Sequence, residues 1–194
     1  MAEVLLFHHA QGLTPGVVEF ADTLRKAGHT VHTPDLFEGQ VFGTVEAGVE
    51  HARTIGFGTV VERGRAAAAE LPAGLVYAGI SLGVLPAQAL AQNRPGAAGA
   101  LLLEACVPAE EFGGAWPAAV PVRIHGMSDD PSFAGEGDLD AARALVASAP
   151  SAAELFLYPG DSHLFTDSSL PSYDPSAAAL LTERVLAFLE TVTP

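Results

Sequence analysis

Ser81 stands in Gly79-Ile80-Ser81-Leu82-Gly83, between the apolar run Leu75-Val76-Tyr77-Ala78 and the Ala/Leu-rich stretch from Val84 to Ala91. Strand, sharp turn and helix in that order, around Gly-x-Ser-x-Gly, form a nucleophile elbow. The turn strains the serine backbone and lifts its hydroxyl off the sheet. The two glycines let strand and helix pack closely around it. The same turn aims the Leu82 backbone N–H at the point where a substrate oxyanion would form. The alternative is a tight strand-to-helix turn with an inert serine, and the partners decide between the two.

A nucleophilic serine needs a base to take its proton and a carboxylate to orient that base. His163 lies in the loop Tyr158-Pro159-Gly160-Asp161-Ser162-His163-Leu164-Phe165, directly after the last predicted strand. That is the expected position for the base. For the acid, the predicted strand Val122–His125 runs into Gly126-Met127-Ser128-Asp129-Asp130-Pro131, and either aspartate could reach the imidazole. One of them is then a turn-forming Asp before proline. Glu104 and Cys106 follow another strand end and are read as pocket candidates, Cys106 more simply as a small buried residue. The remaining histidines, His8, His9, His29, His32, His51 and His125, make no metal spacing such as His-Glu-x-x-His, so no metal site is expected.

These residues need a scaffold, and the chain alternates β-type and helical runs. Val4–Phe7, Thr30–Thr33, Leu75–Ala78, Ala100–Glu104, Val122–His125 and Leu155–Tyr158 are predicted strands. Pro15–Ala27, Val60–Leu71, Val84–Asn93, Leu139–Ala147 and Ser176–Thr191 are predicted helices, with Asp138 as a candidate N-cap. No repeat or linker divides the 194 residues, so one domain over 1–194 is expected. The alternation implies an α/β fold with a doubly wound, mostly parallel sheet, and ligands then sit at the carboxyl ends of the strands. The candidate residues all fall there.

The composition, 49% hydrophobic and 16% charged with mean hydropathy +0.30, supplies a large core and argues against disorder. A net charge of −14, with no run of Lys or Arg, disfavours nucleic acid, anionic membranes and multiply anionic substrates. One cysteine, Cys106, excludes a disulfide framework. The N-terminus lacks a basic segment and reads as a first strand, and no run of ~18 apolar residues occurs. A cytoplasmic protein, monomeric or a small homo-oligomer, is expected.

Taken together, these segments resemble the dienelactone hydrolase family of α/β-hydrolases over nearly the whole chain. Gly28 through Pro34-Asp35-Leu36-Phe37 is similar to that family's strand and "PDLY" segment. The Gly79–Gly83 elbow matches its nucleophile motif, His125 to Asp130 its "H…D" segment, and His163-Leu164-Phe165 its histidine motif. The short chain fits a minimal α/β-hydrolase fold without a cap domain. The resemblance implies Ser81 as nucleophile, His163 as base and Asp130 as orienting acid, with Asp129 the runner-up. It implies backbone N–H groups of Leu82 and Ala10 as the oxyanion hole, and no cofactor. Three departures matter. Founding members of the family use a cysteine nucleophile where this chain has Ser81. They carry a glutamate after the first strand where His9 stands. They place a substrate-binding arginine four residues after the histidine, where Asp167 stands. The expectation is a serine hydrolase acting on a small neutral ester or lactone, with His9, Glu104 and Asp167 near the substrate. A thioesterase or C–C bond hydrolase with the same residues is the alternative, and a non-catalytic binding protein on this scaffold is the rival from another class.

Overall fold

Apolar runs bounded by Gly, Pro and Asp become strands, and longer runs with a 3.6-residue period become helices. The computed structural model describes residues 1–192. Its strands are β1 (Glu3–Phe7), β2 (Thr30–His32), β3 (Leu75–Ile80), β4 (Gly99–Leu103), β5 (Val122–Met127) and β6 (Ala153–Tyr158). They form one sheet in the order β2-β1-β3-β4-β5-β6, and every neighbouring pair is parallel. The helices are α1 (Pro15–Lys26), α2 (Val45–Ile55), α3 (Phe57–Ala69), α4 (Val84–Asn93), α5 (Pro131–Gly135), α6 (Asp138–Ser148) and α7 (Pro175–Thr191).

Side-chain alternation along the strands divides the core into two layers. Val4 and Leu6 of β1 share one layer with Val17, Phe20 and Leu24 of α1 and with Leu181, Val185 and Phe188 of α7. Leu5 and Phe7 share the other with Val60 of α3, Ala87 and Leu90 of α4, and Leu139 and Leu145 of α6. Helices therefore cover both faces of the sheet, as the doubly wound reading expects. β3 and β4 are buried at every position, as both-face coverage requires. Each large side chain so buried contributes roughly 1.5–3 kcal/mol of hydrophobic stabilisation. Among the described residues, no helix is long and apolar enough to cross a membrane.

The chain runs from β1 outward to β2, then returns across β1 to β3. That reversal opens a crevice beyond the carboxyl ends of β1 and β3, the place where such sheets bind ligands. One local expectation is corrected: the N-cap of α6 is Gly137 at φ +105°, and Asp138 is its first helical residue. The segment 45–55, to which the sequence analysis assigned no element, is α2; Thr44 caps it by accepting from Ala47 N–H at 3.2 Å.

Candidate active site

Ser81 follows β3 directly and has φ +49°, a left-handed conformation that a residue with a Cβ adopts only under constraint. The constraint is close packing around the flanking glycines. A Cβ on Gly79 would lie 2.1 Å from the Gly83 carbonyl oxygen, and a Cβ on Gly83 would lie 2.4 Å from the Phe7 carbonyl oxygen. Neither site admits a side chain, so β1, β3 and α4 meet at bare backbone and the turn holds Ser81 proud of the sheet.

The Ser81 hydroxyl donates to His163 Nε2 at 2.9 Å, and His163 Nδ1–H donates to Asp130 Oδ2 at 2.7 Å. Asp130 is fully buried and its carboxylate is shared. Oδ2 takes the imidazole, while Oδ1 caps α5 by accepting from Ser132 N–H at 2.9 Å. Asp129 is exposed and accepts from the Ser128 hydroxyl. Of the two aspartates, α5 brings Asp130 to the imidazole. Pro131 starts that helix and turns the preceding residue inward as its cap. Backbone bonds from Ser128 N–H to Tyr158 O and from Asp129 N–H to Gly160 O tie the two loops in this register.

The electrostatics follow from this arrangement. Burial pulls the His163 imidazole down. The bond to Asp130 and the negative charges of Glu104, Asp130 and Asp138 outweigh it, so the imidazole ends above its ordinary range. Burial pushes the Glu104 carboxyl up, against the opposing pull of His163 and Thr166. Burial also raises Asp138, to about 6, although Cys106 N–H bonds to it.

A cavity of about 760 Å³ opens over Ser81 and His163, and Ala10, Leu82 and Glu104 are among its lining residues. Ala10 follows β1, and α2 packs so tightly on it that a Cβ on Gly48 would lie 1.8 Å from the Ala10 carbonyl oxygen. α2 also supplies a wall of the cavity with Val45, Glu46, Val49, Glu50 and Arg53, residues that the sequence reading did not place there. The Thr44 cap followed by Val45, Val49 and Ala52 at helical spacing was the available signal.

His9 and Asp167 depart from expectation: neither lines the cavity. Both are buried and bonded to each other, His9 Nε2–H donating to Asp167 Oδ2 at 2.7 Å. The same oxygen accepts from the Thr14 hydroxyl at 2.5 Å, and Oδ1 accepts from Ser169 N–H at 2.8 Å and its hydroxyl at 2.6 Å. Four donors saturate the carboxylate. Burial opposes its ionisation, but the bonds from His9, Ser169 and Thr14 prevail and hold it at about 2. Asp167 therefore ties the Ala10 loop to the His163 loop and does not line the cavity. Glu104 does line the cavity, at φ +64° and 1% exposed. Its Oε1 accepts from Thr166 N–H and hydroxyl, whereas its Oε2 has no hydrogen-bond partner among the described residues. Cys106 is buried, and burial pushes its thiol up to about 12, so it stays an unreactive thiol. Among the described residues no group of three or more His, Cys, Asp or Glu side chains is arranged to hold a metal ion.

The family model described as the dienelactone hydrolase family matches residues 1–193. A dienelactone hydrolase-like promiscuous phosphotriesterase from metagenomic libraries is similar in structure, with TM-score 0.74 and 16% identity over 99% of this chain and 87% of that one. So is the apo form of esterase 2 from Thermogutta terrifontis, with TM-score 0.64 and 18% identity over 100% of this chain and 85% of that one. The same Thermogutta esterase also has a structure phosphorylated by paraoxon. No curated protein matches the chain significantly.

Proposed function

The chain belongs to the dienelactone hydrolase family, and we propose that it is a serine hydrolase of small esters or lactones. The observation that carries this reading is the unbroken chain of short hydrogen bonds from Ser81 through His163 to Asp130, begun on a strained elbow. In the proposed mechanism Ser81 Oγ attacks the carbonyl carbon as His163 Nε2 takes its proton. Asp130 keeps the imidazole in the Nδ1–H tautomer and stabilises its charged form. Backbone N–H groups of Leu82 and Ala10, both lining the cavity, hold the oxyanion. His163 then returns the proton to the leaving alcohol, and next deprotonates a water that releases the acid.

The test is covalent labelling. A fluorophosphonate should modify Ser81 alone, with the mass increase on the peptide that carries it, and Ser81→Ala should abolish the adduct. Paraoxon, which phosphorylates the Thermogutta esterase, is a second probe of the same nucleophile. A folded protein inert to both would be a binding protein on this scaffold.

A further inference from the structure

The cavity over Ser81 is lined by Glu46, Glu50, Glu104, Glu136 and Asp138 against a single guanidinium, Arg53. Arg53 is already committed, its Nη1–H donating to Glu50 Oε2 at 2.5 Å. Among the described residues no Lys, Arg or His forms an ion pair with Glu46, Glu136 or Asp138. Acidic side chains at a rim are ordinary for a chain of net charge −14. Glu104 is different. It is 1% exposed, held at a left-handed backbone angle at the end of β4, and its buried Oε2 has no hydrogen-bond partner among the described residues. Leaving such an atom unpaired is costly, and a donor on a ligand in the cavity would satisfy it. The imidazoles whose charge Glu104 feels do not supply it: His163 is bonded to Ser81 and Asp130, and His9 to Asp167.

Resting on the serine hydrolase reading, we propose that the substrate is an ester bearing a protonated amine, whose N–H donates to Glu104 Oε2 beneath a rim of carboxylates. Burial disfavours the ionised form of Glu104, and an ammonium beside it would favour that form. The rim carboxylates attract the cation from solution, and the buried one fixes it close to His163. A carboxylate-bearing substrate would meet the same groups as repulsion.

Matched thioacetates test this by thiol release at pH 7. The 2-(dimethylamino)ethyl ester carries one N–H on a cation and cannot transfer its acyl group to nitrogen. The 3-methylbutyl ester is its neutral isostere, and the ester of 3-mercaptopropionate is the anionic counterpart. We expect kcat/KM to favour the ammonium ester over its isostere by on the order of tenfold, with the anionic ester slowest. Glu104→Gln should reduce the ratio of cationic to neutral kcat/KM several-fold, and added salt should not restore it, because a buried charge is poorly screened. Glu46→Gln combined with Glu136→Gln should reduce the ratio by an amount that shrinks as salt rises. Equal or faster turnover of the neutral isostere overturns the inference and leaves the hydrolase reading standing. An unchanged ratio in Glu104→Gln overturns the assignment of the amine to Glu104. Hydrolysis of none of the three, together with no fluorophosphonate label on Ser81, overturns the hydrolase reading and this inference with it.

Discussion

Replacing Asp167 by asparagine separates two roles for a residue that the sequence resemblance implies at a substrate-binding position. Its carboxylate accepts four hydrogen bonds, from His9, Thr14 and twice from Ser169. The amide offers one acceptor oxygen, so its NH2 must face two donors. The magnitude follows from the acidity. The carboxyl moves from 3.8 to about 2 on folding, and each pKa unit is worth about 1.36 kcal/mol. The ionised form therefore contributes roughly 2.5 kcal/mol, a difference of about 5–10 °C in Tm for a chain of this size. The sign is that of a depressed acid. The contribution is fully present above 3.8 and is lost as pH falls through about 2. Urea denaturation at pH 7 should show the variant less stable by that amount, and at pH 3 the gap should be smaller by about 1 kcal/mol. Below its melting temperature Asp167→Asn should keep the wild-type order of preference among neutral, cationic and anionic esters. Unchanged stability with an altered substrate preference would refute the structural role and return Asp167 to the pocket.

Four further outcomes are expected. Ser81→Ala and His163→Ala should each lower ester hydrolysis by several orders of magnitude, and the double variant should be little worse, since residues acting as a unit lose their effect together. Asp130→Asn should reduce kcat by roughly 10⁴, as loss of the orienting carboxylate does elsewhere, while Asp129→Asn stays near wild type by the same steady-state assay. Activity should rise with pH as His163 loses its proton, with a kcat/KM midpoint above 6.5 because its partners hold the imidazole up; a midpoint below 6.5 contradicts the assignment. Gly83→Ala should abolish fluorophosphonate labelling of Ser81, because its Cβ would lie 2.4 Å from the Phe7 carbonyl oxygen and the elbow must move.

Local chemistry made much of this molecule legible in its sequence. The elbow at Gly79–Gly83 was readable because its glycines answer a steric demand within five residues, and the strand–helix alternation because periodicity is a local property. β1, β3 and α4 fall within a residue or two of the predicted segments for that reason. The histidine loop was readable because it directly follows a predicted strand. What remained open depended on contacts between segments far apart in the chain. Asp129 and Asp130 are adjacent and chemically identical, and only the start of α5, together with the pairing of the β5 and β6 loops, turns one toward His163 and the other to solvent. Asp167 was expected at the substrate, yet its bond to His9 spans 158 positions and buries it between two loops. α2 was not read from the sequence although Thr44, Val45, Val49 and Ala52 carry its cap and spacing, and its consequence, an acidic wall facing Ser81, exists only once α2 packs on Ala10 through Gly48. Sequence determined which groups could do chemistry, because reactivity and turn preference belong to residue types. Tertiary structure decided which of them meet, because hydrogen-bond geometry and burial are properties of the packed chain.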